Sequence, residues 1–176
     1  GKCMCCKCGA GGYSKELPKF SKTKVYALDR DKKVIFIANK LKKKFPNRFK
    51  FYQIKFSQLD SILENNIDVI IFDLGLSSIQ LDDLERGFSF RSNKELDMAM
   101  GLNEISALNV INSLSEKNLK SVIKILGEEN EASLIAKNIV KNRNIKKITK
   151  TSELVEIIEK SKKKKYTSKI NPCTKT

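Results

Sequence analysis

The chain has 176 residues, 40% of them hydrophobic and 31% charged, with a formal net charge of +15. That length holds one domain with a full core, or one domain with a small insertion, and the composition is that of a globular protein rather than a disordered one. No apolar run reaches the ~18 residues of a membrane-spanning helix and nothing at the amino end resembles a signal peptide, so no membrane partner and a cytoplasmic location are expected.

The chain begins with GKCMCCKCGAGGYS, which holds four of the five cysteines within residues 3–8. Thiolates at this density suit a soft metal, but alternate residues of a strand face opposite sides, so at most two of these sulfurs would converge. The run MCCKC is therefore read as a strand feeding a glycine loop, with no metal expected. Gly9, Gly11 and Gly12 allow a sharp turn and close approach to a ligand, with the N–H groups of the next helix behind it. The G-A-G-G pattern differs from the G-x-G-x-x-G of dinucleotide enzymes, and no G-K-[ST] follows, which argues against a P-loop.

VYALD (25–29), FKFYQI (49–54) and IDVIIFD (67–73) read as buried parallel strands. Between the first two, Val34, Ile35, Ala38, Leu41 and Phe45 fall on one face of a helix whose remaining surface is lysine, which makes a βαβ unit. SQLDSILENN supplies a further helix, with Ser57 as its N-cap. Asp29 lies 20 residues after Gly9 at a strand end, where a carboxylate can accept hydrogen bonds from both hydroxyls of a ribose. A solvated loop Asp is the alternative. The third of these strands runs into DLGLSSIQLDDLERGFSF. Ligands of open α/β sheets bind beyond the carboxyl ends of strands, so Asp73 and Gln80 stand where cofactor and substrate would meet, unless Asp73 only shapes a turn. Arg86, Phe88, Phe90 and Arg91 interleave cations with aromatic rings, a pattern suited to phosphate contact and base stacking and equally compatible with core phenylalanines and solvated arginines.

After residue 100 the pattern becomes helical through SEKNLKSVIKIL, EASLIAKNIVKNR and TSELVEIIEKS, with Ser115 and Ser152 as N-caps and no strand between them. This reads as a helical insertion, residues 101–163, followed by an exposed linker at KKKKY (162–166). The basic balance has two explanations: affinity for a polyanion, or the Lys-, Ile- and Asn-rich composition of AT-rich coding, since 30 of the 35 basic residues are Lys. The absence of His removes Ser-His-Asp and Cys-His nucleophiles.

GAGGYS, ALDRD, DLGLSSIQLDDLERGFSFR, LDMAM, ILGEENEASLIAKNIVKNR and KINPCTKT, in this order, resemble the ribosomal RNA small-subunit methyltransferase H family. The resemblance implies a Rossmann-like class I methyltransferase fold, α/β with an incomplete parallel sheet of order 3-2-1-4, in residues 1–100. It also implies an inserted helical subdomain at 101–163 that helps hold RNA, and a return segment at 164–176. The implied activity is transfer of a methyl group from S-adenosylmethionine to the exocyclic N4 of a cytidine in 16S rRNA of the small ribosomal subunit. By the same resemblance Gly11, Gly12, Tyr13, Asp29, Phe56, Asp73 and Gln80 hold the cofactor. A carboxylate near N4 can accept the amino protons, which makes Asp73 the candidate catalytic proton acceptor, and Arg86, Phe88, Phe90 and Arg91 are RNA-binding candidates from their interleaved pattern. Cys5 and Cys8 stand where the family carries an acid and an aromatic, and Ala99 where it carries an arginine. The ends suggest part of a longer protein, with an exposed edge at strand four and low stability. The competing expectation is a non-catalytic RNA- or metal-binding remnant of the same fold.

Overall fold

Short apolar runs rich in aromatic and β-branched residues become four strands: β1 (Lys2–Cys5), β2 (Lys24–Leu28), β3 (Phe49–Tyr52) and β4 (Val69–Ile71). In the computed structural model, which describes residues 1–20, 22–62, 66–102, 105–162 and 171–175, they form one parallel sheet of order β3-β2-β1-β4. This is a Rossmann-like α/β arrangement, with the expected strand order. Register places Cys3 opposite Val25 and Val69, and Cys5 opposite Ala27 and Ile71. β4 pairs only with β1 among the described residues, and its Val69 and Ile70 are exposed.

The first unit comprises Gly1–Ile79 and Met100–Asn103. Its short helix α1 (Gly12–Glu16) follows the glycine loop, and α2 (Ile35–Lys44) crosses from β2 to β3. One sheet face packs Cys5, Val25 and Ala27 against Val34, Ala38, Leu41 and Phe45, so the helical stripe read from the sequence is the buried one, although Ile35 is only half-buried. The opposite face carries Met4, Tyr26 and Leu28 under Tyr52, Ile54, Leu59 and Ile62.

Two local expectations change here. β1 stops at Cys5 instead of running through Cys8; the amide of Cys6 bonds Ile71 O at 2.9 Å and that of Cys8 bonds Leu28 O at 2.8 Å, so the chain leaves the ladder between the ends of both neighbours. The segment expected as a helix capped by Ser57 is a 3-10 run, Phe56–Ile62, broken at Gln58. The Gln58 amide closes a tight turn onto Lys55 O at 2.9 Å, and its side chain accepts the Lys55 amide at 3.3 Å, which commits the chain to i→i+3 bonding. The remainder of that segment, residues 63–65, lies outside the described residues.

The second unit comprises Gln80–Ala99 and Glu104–Thr176, the division falling within the short helix α3 (Ser78–Asp82). Helices α4 (Ala107–Ser113), α5 (Glu116–Leu126), α6 (Ala132–Ile145) and α7 (Thr151–Ser161) surround a core of Leu96, Ile111, Leu119, Ile123, Ile135, Ile139 and Ile158. Ser115 caps α5 as expected, its side chain accepting the Asn118 amide. Ser106, not singled out beforehand, closes a capping box with Asn109 on α4. The cap of α7 is Lys150 rather than Ser152, because Glu153 reaches back to accept the amides of Thr149 at 2.8 Å and Lys150 at 3.1 Å; Ser152 instead donates to Asn93 Oδ1 at 2.7 Å. Lys162, expected in an exposed linker, has a buried side chain that pairs with Glu129 at 2.6 Å. The rest of KKKKY, with the return segment up to residue 170, lies outside the described residues. Residues 171–175 contain a 3-10 turn whose Cys173 sulfur lies 3.7 Å from Val155 O on α7.

The two backbone amides and then Lys146 hold the Glu153 carboxyl down at about 2 from its ordinary 4.5. A carboxyl lowered by folding stabilises above its unfolded value, and that contribution disappears as pH falls through the folded one. Glu153→Gln is therefore expected to lower the thermal midpoint at pH 7, with the gap to the parent closing between about pH 4.5 and 2 in melts followed by circular dichroism.

Candidate functional site

Gly9 leaves the end of β1, and its amide donates to Asp29 Oδ2 at 2.8 Å. The other carboxylate oxygen accepts the Asp31 amide at 2.9 Å, and Asp31 in turn caps the helical run into α2 by accepting the Lys33 amide. Asp29 is buried at the carboxyl end of β2, and both of its oxygens are aimed by backbone donors. Each keeps one lone-pair direction.

Gly11 takes φ +84, which favours glycine, and a Cβ there would crowd Ile37 Cγ2 of α2 at 3.1 Å. At Gly12 a Cβ would meet nothing within 4 Å. A hollow of about 550 Å³ opens there, lined by Gly11, Gly12, Tyr13, Lys15 and Asp73, and a second of about 240 Å³ adjoins it, lined by Lys7, Gly9, Gly12, Tyr13, Asp73 and Ser77. Tyr13 is 53% exposed at this rim, and Asp73 is exposed. Among the described residues Asp73 has no hydrogen-bond or ion-pair partner.

Of the cofactor residues named from the sequence, Gly11, Gly12, Tyr13 and Asp73 thus share one concavity, and Asp29 holds the loop that builds it. Phe56 meets the ring of Phe72, the residue before Asp73, edge to face at 6.0 Å between centroids and 84° between planes. Gln80, Arg86, Phe88, Phe90 and Arg91 belong to the second unit. Gln80 is buried. The Arg86 guanidinium is buried too, donating to Ala99 O at 2.9 Å and lying over the Phe88 ring at 5.2 Å, whereas Arg91 and the Phe90 ring 5.9 Å from it are exposed.

Three contacts were not legible in the sequence. Lys7 Nζ bonds Gly75 O and so ties the end of β1 to the loop after β4. Phe72 pairs with Phe56. Met100 and Gly101 return to the end of β2: Arg30 donates to Met100 Sδ at 2.8 Å, and a Cβ on Gly101, at φ +65, would lie 1.9 Å from Arg30 O. The D-L-G triplet and the position of Lys7 just before Cys8-Gly9 hint at the first; nothing local signals the last.

The sulfurs do not gather. Cys5 and Cys8 face the α2 side of the sheet and Cys6 the other, and among the described residues no group of three or more candidate ligands could hold a metal. Ser14 Oγ, buried behind the loop, lies against the Cys5 and Cys8 thiols and has no oxygen or nitrogen partner among the described residues.

The family model that matches this chain is that of the MraW methylase family, over residues 3–176. The chain belongs to that family. Similar relatives are the ribosomal RNA small subunit methyltransferase H of Orientia tsutsugamushi (strain Ikeda), 42% identical over 89% of this chain and 51% of the relative, and that of Ehrlichia canis (strain Jake), 39% identical over 96% and 58%. A third, from Bartonella bacilliformis, is 41% identical over 95% of the chain and 50% of the relative. The chain spans about half the length of the curated relatives it matches. The likeness read from DLGLSSIQLDDLERGFSF is upheld.

Burial pushes the thiols of Cys5 and Cys8 up to about 11. Because the thiolate is the nucleophile, iodoacetamide at pH 8 should label both roughly 10²-fold more slowly than in the urea-unfolded chain, read by peptide mass spectrometry.

Proposed function

We propose that this chain provides the methyl-donor site of an enzyme that transfers a methyl group from S-adenosylmethionine to the exocyclic N4 of a cytidine in 16S rRNA, in the cytoplasm. The observation that carries the reading is the unpartnered carboxylate of Asp73 on the same concavity as Gly12 and Tyr13, above a loop fixed by Asp29. Membership of a methylase family and relatives named for small-subunit rRNA support it.

The residues fit such a donor. Gly12 leaves open the space a side chain would fill, so a ligand can approach the backbone closely. Asp29 keeps a lone pair on each oxygen for a pair of ribose hydroxyls. The Phe56 and Phe72 rings are partly exposed and offer an apolar surface for a purine. S-adenosylmethionine, when bound, supplies a methyl carbon already activated by its sulfonium, so no metal is called for.

What remains for the protein is alignment and a proton. The N4 lone pair of cytosine is delocalised into its ring, and holding the amino group in line with the methyl carbon removes the entropy of finding that geometry. Asp73 accepts a hydrogen bond from the amino group, orients its lone pair, and takes up the proton released as the new N–C bond forms. The substrate base must leave its stack to react; in the second unit, taken by itself, the exposed Phe90 and Arg91 are a ring and a cation of the kind that bind unstacked RNA.

Asp73→Asn should lower the rate of methyl transfer to small ribosomal subunits by about 10²-fold or more while leaving cofactor affinity within a few-fold. Asp29→Ala should do the reverse, weakening cofactor binding in calorimetry. Labelled methyl recovered as N4-methylcytidine after nuclease digestion identifies the product; no S-adenosylmethionine binding by the chain, or label in another nucleoside, would rule the reading out.

A further inference from the structure

The lysines of the first unit are unevenly placed. Between residues 32 and 59 there are nine basic residues and no acidic one. On the helical run that starts at Lys32 and continues through α2, residues 32, 36, 40 and 43 follow one another at spacings of four, four and three, which puts Lys32, Phe36, Lys40 and Lys43 in one stripe. All four are exposed, opposite the buried Val34, Ala38 and Leu41. The stripe spans about 17 Å. It starts at the carboxyl end of β2, beside Asp29 and the glycine loop.

Two features set this stripe apart from an ordinary solvated face. Lysines in a last helical turn are favoured by the helix dipole, which accounts for Lys42, Lys43 and Lys44. Lys32 stands at the opposite, positive end, where the same dipole disfavours a cation, so its place is not explained by helix stability. Phe36, moreover, is 66% exposed in the middle of the stripe, with Lys40 Nζ 4.1 Å from its ring centre. Among the described residues Lys32, Lys40 and Lys43 pair with no carboxylate; Asp31 spends its side chain on the Lys33 amide at the start of the run, and Glu16, which acts on Lys44, is itself bonded to Lys19.

We propose that the outer face of α2 is a docking track for RNA outside the target nucleotide. Lys32, Lys40 and Lys43 contact successive phosphates, and Phe36 stacks on a base between them. The inference rests on the rRNA reading above and extends it to a surface separate from the donor pocket. A stripe of cations with an embedded exposed ring is the chemistry that recognises a single strand or loop, where phosphate contacts give affinity and the ring accepts any base.

Filter binding of the whole chain to protein-free 16S rRNA over a series of KCl concentrations tests this. K32Q/K40Q/K43Q should weaken binding about tenfold or more at 100 mM KCl and reduce the slope of log affinity against log salt by about 2–3, at ~0.7–0.9 per lost phosphate contact. Phe36→Ala should weaken binding with the slope unchanged. K19Q/K22Q/K24Q removes the same charge from positions outside the stripe and should have little effect. Equal losses from both triple variants would mean that net charge alone acts, and an unchanged K32Q/K40Q/K43Q would mean that α2 does not touch RNA; either overturns the track while leaving the rRNA reading intact. A parent chain that binds no rRNA removes both. Unaltered S-adenosylmethionine affinity in K32Q/K40Q/K43Q verifies that any loss does not arise from the pocket.

Discussion

The bond from the Gly9 amide to Asp29 is the tie on which the first unit's site depends. It joins the chain leaving one strand to the side chain ending the next, 2.8 Å apart and out of water. An amide left there without its acceptor would cost about 1–3 kcal/mol. The same carboxylate orients the Asp31 amide, and Asp31 starts the helical run into α2. One side chain therefore sets the glycine loop, the β2 turn and the entry to the crossover helix.

Much of this was legible in the sequence because parallel strands buried on both faces appear as unbroken apolar runs, and because chemistry in such sheets gathers at strand ends. Val25 to Asp29 carries both signals at once; Ile67 to Asp73 has the apolar run and the strand-end acid, but the burial expected of it is not met, since β4 pairs on one side only among the described residues and Val69 and Ile70 are exposed. The segment after Phe56 was not legible: its apolar spacing suits an α-helix, but Gln58 folds back on Lys55 and fixes a tighter turn. The start of α7 was misplaced for a similar reason. Ser152 has the right chemistry for a cap, yet Glu153 satisfies the free amides first, and only its folded position reveals it. The return of Met100 and Gly101 to Arg30 spans 70 residues and leaves no local trace.

The cysteines also needed the fold to be understood. In a short strand at the middle of the sheet, a thiol acts as a small apolar side chain, and its raised pKa is the mark of that burial. Cys5 packs with Val25 and Ala27 as a core residue would. The cluster that resembles metal chemistry in one dimension is split between two faces in three.

Gly11 and Gly12, adjacent in the chain, answer to different neighbours. Ile37 presses on Gly11 from inside, while Gly12 faces open space. A methyl group added at Gly11 strains a positive φ and crowds the Ile37 side chain; one added at Gly12 meets no atom of the described fold and stands in the open hollow. Replacement at Gly12 thus separates folding from binding within a single residue step, and gives a silent scaffold against which every other property of the chain can be compared.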